Sequence, residues 1–119
     1  MGISALFHVY GLGPGLLGTL MSGASMVLQD EGSAAATLGA VQAHGATVHF
    51  GIPTLFVAEL DELKERPRDL SSLRLAVVAG APVNDNLVIE LADALGVPVV
   101  TGYSLTEPTA RTASGNEPV

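Results

Sequence analysis

Apolar and polar positions along this chain fall into short blocks whose period switches repeatedly between that of a helix and that of a strand. Ala5 to Tyr10 is a run of β-formers, a short strand or the approach to a helix. Leu12, Leu16, Leu17 and Leu20 recur at helical spacing over Gly11 to Ser22, and Gly23 stands where a helix stops. Ser25 to Leu28 reads as a short strand and Asp30-Glu31-Gly32 as a turn. Ser33 caps a helix from Ala34 to His44, with Leu38 and Val41 on one face and Gly45 as its terminator. Thr47 to Ile52 is β-branched and aromatic, a strand. Pro53 then opens a helix with Leu55, Phe56, Leu60 and Leu63 on one side and Glu59, Asp61 and Glu62 nearer water. Glu65 to Ser72 is a polar loop. Leu73 to Ala79, the most apolar run, predicts a central strand buried on both faces, broken by Gly80-Ala81-Pro82. Asp85 or Asn84 caps a helix to Leu95, with Leu87, Leu91, Ala94 and Leu95 inward. Gly96 ends it, and Val97 to Val100 is the next strand.

Strands alternating with helices at this interval predict parallel pairing joined by right-handed crossovers. The expected fold class is therefore α/β, a layered parallel sheet with helices on both faces. Beyond Glu107 the chain turns polar and contains Gly and Pro, with no closing element expected. No internal repeat or low-complexity tract interrupts the pattern.

Composition narrows the function classes. With 119 residues, 48% of them hydrophobic and 14% charged, the chain has one domain's worth of core and is too apolar for disorder. A formal net charge of −7, with Lys64 as the one lysine, argues against nucleic acid, which needs clustered cations. Arg66, Arg68 and Arg74 lie in or beside one hydrophilic loop, read as a solvated connection. The absence of cysteine excludes disulfides, thiolate catalysis and cysteine-based zinc sites, and it fits a cytoplasmic protein. Met1 to Gln29 carries no Asp, Glu, Lys or Arg and is long enough to cross a bilayer at about 20 residues per span. Its glycines, Pro14, His8 and the acidic flank Asp30-Glu31 favour the buried start of an α/β core over a membrane span.

Candidate chemistry begins with Gly13-Pro14-Gly15-Leu16-Leu17-Gly18, which spells a dinucleotide-binding G-x-G-x-x-G. The acid of that fingerprint sits about 20 residues beyond the glycines, whereas Asp30 follows Gly18 closely, so glycine-rich helix packing is the better reading. His8 lies in an apolar run, His44 precedes a helix-ending glycine, and His49 is an isolated strand residue. The three lack the spacing of a metal site. A stronger signal comes from two strand ends. Gly80-Ala81-Pro82 and Gly102-Tyr103 each follow a predicted strand, and one helix joins those strands. In a parallel βαβ unit both ends open on the same sheet edge, where such sheets place ligands. A glycine lets a planar ligand approach the backbone at one end, and a tyrosine at the other offers a ring.

Five ordered blocks then match a known pattern: Phe7-His8-Val9-Tyr10-Gly11-Leu12, Gly51-Ile52-Pro53-Thr54, Leu70-Ser71-Ser72-Leu73-Arg74, Ala79-Gly80-Ala81-Pro82 and Gly102-Tyr103-Ser104-Leu105-Thr106-Glu107. In this order and spacing the chain resembles the adenylate-forming enzymes, and within them the branch of AMP-forming acyl- and aryl-CoA ligases. The resemblance implies ATP-dependent activation of a carboxylic acid to an acyl-adenylate and transfer to coenzyme A, with Mg²⁺ as the metal. It assigns catalytic roles to His8, Thr106 and Glu107. It places nucleotide contacts at Gly80, Ala81, Pro82, Gly102, Tyr103 and Thr106, with Tyr103 on adenine and Thr106 on the α-phosphate. It puts His8, Val9 and Gly80 at the acyl pocket and makes Glu107 the Mg²⁺ ligand.

The chain also departs from the pattern. Ser104 and Ala5 replace the family's usual Gly and Pro. The phosphate loop expected before Phe7 and the ribose-binding Asp and catalytic-Lys domain expected after Val119 are not in the sequence. The expectation is that residues 1–119 are an internal piece of the large N-terminal domain, an incomplete subdomain inactive alone and prone to self-association through cut edges. The alternative, from another class, is a small non-enzymatic nucleotide- or dinucleotide-binding module that uses the early glycines.

Overall fold

Caps and turn residues set where the chain changes direction. A computed structural model describes residues 11–29, 32–103 and 113–115. The first described stretch is a π-helical segment, Gly11–Leu17, that tightens into α1, Gly18–Met21. The Thr19 hydroxyl donates to the Gly15 carbonyl at 2.6 Å, a back-bond typical of hydroxyl residues inside helices. Gly23, with φ of +71°, lets the chain leave the helix. The strand expected at Ser25–Leu28 does not form. Its four residues include one β-branched side chain, no described strand pairs with it, and Leu28 is 60% exposed.

The next three helices follow their sequence signals closely. α2, Ala34–His44, is capped by Ser33, whose Oγ accepts from the Ala36 N–H at 3.2 Å, and it ends on the left-handed Gly45. α3, Pro53–Glu65, starts with Pro at its first position, where the missing N–H costs nothing. α4, Asp85–Leu95, is capped by Asn84, whose Oδ1 accepts from the Leu87 N–H at 2.8 Å, and it stops at the left-handed Gly96. Asn84→Ala is expected to cost about 1 kcal/mol, read as a lowered urea midpoint with an unchanged m-value. An unshifted midpoint would mean that water caps α4 equally well.

β1 (Val48–Gly51), β2 (Leu75–Val78) and β3 (Val99–Tyr103) pair in parallel in that order. β4 (Ala113–Gly115) pairs antiparallel with β3, a closing element the sequence pattern did not announce. Three residues made of Ala, Ser and Gly carry no alternation to read; the ladder of β3 recruits them.

The register sets His49, Gly51, Ala76 and Val78 on one face of the sheet. Against that face Leu38 and Val41 of α2, Phe56 and Leu60 of α3, and Leu87, Leu91 and Leu95 of α4 form the core. Helices of two successive crossovers of the usual hand, in strand order 1-2-3, land on the same face. The opposite face carries Val48, Phe50, Leu75 and Val77, all half-buried, so β2 is covered fully on one face and partly on the other. Gly18, Thr19 and Ser22 border a cleft of about 470 Å³ that reaches Val48 and Phe50 on this second face. Ala94, expected inward, is exposed, since Leu91 and Leu95 already fill the stripe that meets the sheet.

The arginine-bearing loop is a connection, with Glu62 drawing Arg66 and Arg68 to 3.6 and 3.7 Å. Asp69 accepts from the Ser71 N–H at 3.0 Å. Its carboxyl is held below the ordinary carboxylate value by the Ser71 hydroxyl first and that N–H second.

Candidate functional site

The three parallel strands end on one edge. β1 stops at Gly51 because Pro53, two residues on, supplies no donor for a ladder and starts α3 instead. The Gly51 carbonyl accepts from the Ala79 N–H at 3.1 Å, which ties the end of β1 to the residue after β2. Gly80 follows with φ of +90°, a conformation that side-chain-bearing residues rarely adopt. Gly80, Ala81 and Pro82 are exposed, and Asn84 then begins α4.

The register places this ledge. Val78 pairs with Thr101, so Gly80 and Tyr103, the last residue of β3, each follow the last parallel rung by two residues. Gly102, half-buried, pairs with Ser114 of β4. Gly80, Ala81, Pro82, Gly102 and the backbone of Tyr103 thus lie at the carboxyl ends of two neighbouring parallel strands, a shelf at that edge of the sheet.

His8, Val9, Thr106 and Glu107 lie outside the described residues, as does the ring assigned to stacking at Tyr103. No group of three His, Asp or Glu side chains able to hold a metal occurs among the described residues. His44 is exposed at the end of α2, as a helix-terminal histidine should be. Gly13, Gly15 and Gly18 lie within the π-helical segment and α1, so they form no phosphate-cradling turn between a strand and a helix. The dinucleotide reading of those glycines therefore falls. No described helix is long and apolar enough to cross a membrane.

One polar cluster escaped the sequence reading. His49, expected to be isolated, is fully buried, and Glu59, expected nearer water, is 1% exposed. His49 Nε2 lies 3.0 Å from each Glu59 carboxylate oxygen. The imidazole also packs on Phe56, with ring centroids 4.9 Å apart. A signal was available: Glu59 follows Phe56 by three residues and Leu55 by four, which places it on the buried stripe of α3. A carboxylate there requires a buried partner, and strand histidine His49 supplies it.

Comparison with known proteins bears on the whole chain. The profile of a family described as AMP-binding enzyme matches residues 1–118. A feruloyl-CoA synthase from an Amycolatopsis species is 38% identical over 102 residues, covering 86% of this chain and 21% of that protein. The crystal structure of an anthranilate CoA ligase in complex with anthranoyl-AMP superposes with a TM-score of 0.80 at 31% identity, over 87% of this chain and 20% of that one. O-succinylbenzoate coenzyme A synthetase from Bacillus subtilis, in complex with ATP and magnesium ion, gives 0.73 at 27% identity, over 93% of this chain and 23% of that one. The chain thus spans about a fifth of the length of the relatives it matches.

Proposed function

Because this chain belongs to the AMP-binding enzyme family, we propose that it forms part of the large N-terminal domain of an AMP-forming acid–CoA ligase. That enzyme joins a carboxylic acid to AMP from ATP and passes the acyl group to coenzyme A. The observation that carries the reading is the shelf at the carboxyl edge of β2 and β3. It meets the sequence Gly102-Tyr103-Ser104-Leu105-Thr106-Glu107 at its start.

On this reading Gly80, Ala81, Pro82 and Gly102 present backbone to the adenine, and Tyr103 stacks on it. Thr106 donates to the α-phosphate, and His8, Val9 and Gly80 border the acyl group. The exposed, Cβ-free backbone at Gly80 fits a planar base. Glu107 would hold Mg²⁺, which supplies charge neutralisation for phosphoryl oxygens when bound. Attack of a carboxylate on the α-phosphorus builds charge on those oxygens, and a positioned hydroxyl donor is what that charge requires. A cytoplasmic setting is consistent with a sequence that carries no cysteine. Exposed Leu12, Leu17, Leu20 and Met21 support self-association of the chain by itself.

The test is titration of the chain with AMP and with ATP plus Mg²⁺, comparing wild type with Tyr103→Ala. Loss of one stacked ring should weaken binding about tenfold, in line with the 1–3 kcal/mol of base–aromatic stacking. Equal affinities would remove Tyr103 from the site. Acid-dependent ATP–pyrophosphate exchange by the isolated chain is expected to stay at background; exchange above it would mean that the chain carries a complete adenylating site.

A further inference from the structure

We propose that His49 and Glu59 are positioning residues whose buried hydrogen bond holds the ligand edge in place. Their pairing joins β1 to α3 across a connection of one residue, Ile52. Apolar residues of similar size would fill the same space with equal or greater stability, since a buried polar pair seldom repays its desolvation. The pair is poorly satisfied as well. Among the described residues His49 Nδ1 has no hydrogen-bond partner, so the pair is a weak source of net stability.

What the pair adds is direction. Nε2 sits equidistant, at 3.0 Å, from both carboxylate oxygens, which sets the rotation of α3 about its axis. That rotation seats Phe56 directly over Gly51, where an added Cβ would stand 2.7 Å from Cε2 of the ring. Gly51 in turn holds the Ala79 N–H, and Ala79 precedes the left-handed Gly80. The chain of contact therefore runs from Glu59 through His49, Phe56, Gly51 and Ala79 to the shelf. Each link up to Ala79 is a hydrogen bond or direct packing, and the last is the peptide bond to Gly80.

The discriminating variant is the double replacement His49→Leu/Glu59→Met in the full chain, read by amide hydrogen exchange and urea unfolding. The Ala79 amide should exchange at least tenfold faster. The Ala76 amide, which donates to Pro98 in the covered part of the sheet, should change by less than twofold. The urea midpoint should equal or exceed that of wild type. Glu59→Gln keeps an acceptor for Nε2 and should leave Ala79 within twofold of wild type.

An unchanged Ala79 rate in the double variant overturns the proposal. So does a parallel rise at Ala76, or failure of the double variant to fold, because either would assign the pair to global stability. A further expectation, about fivefold weaker AMP binding in the double variant, rests on the ligand-edge reading above. If wild type binds no AMP, that reading fails, while the exchange rates still decide the role of the pair.

Discussion

Phe56→Ala is expected to remove about 3–5 kcal/mol of stability. The ring is fully buried and sits where three structures meet: the last residue of β1, the imidazole of His49 and the apolar layer beneath α2 and α4. Neighbours are poorly able to collapse into the gap. Gly51 lies under the ring with no side chain to move, and strand and helix here are joined by a single residue. The void therefore persists, and the cavity adds to the lost transfer free energy. Single domains carry about 5–15 kcal/mol in all, so this loss is a large share. Urea unfolding measures it; a drop below about 1 kcal/mol would mean that the site closes up, contrary to the packing described.

The second large effect comes from breaking the buried pair on one side. His49→Leu alone is expected to cost about 3–5 kcal/mol, because Glu59 is left as a buried polar group without its hydrogen-bond partner. The side chain that remains, and its lack of a partner, causes most of that cost. The sign follows from comparison with the double replacement, where no buried polar group is stranded and stability is retained. If His49→Leu unfolds at the wild-type midpoint, Glu59 reaches water and is not confined as the structure has it.

These two positions also show where sequence reading succeeds and where it stops. Short-range signals were legible: Ser33, Asn84, Pro53, Gly45 and Gly96 each occupy the helix boundary their chemistry predicts. Parallel order followed from strands alternating with helices, and the shared edge of Gly80 and Tyr103 followed from parallel order. Long-range partnership was not legible in the same way. His49 and Glu59 each have a default reading, a lone strand histidine and a solvated acid, and only their meeting across the β1–α3 turn cancels both defaults. β4 is invisible for a related reason, since its residues are selected by the unfilled edge of β3 and not by their own propensity. Ser25–Leu28 fails in the other direction, a strand-like run that joins no ladder among the described residues.

The antiparallel rung between Tyr103 and Ala113 has a consequence for the motif it encloses. Tyr103 and Ala113, ten positions apart in sequence, meet as partners across that ladder. The entropy of bringing those two residues together, which grows only as about (3/2)RT ln n, is already spent when the sheet forms.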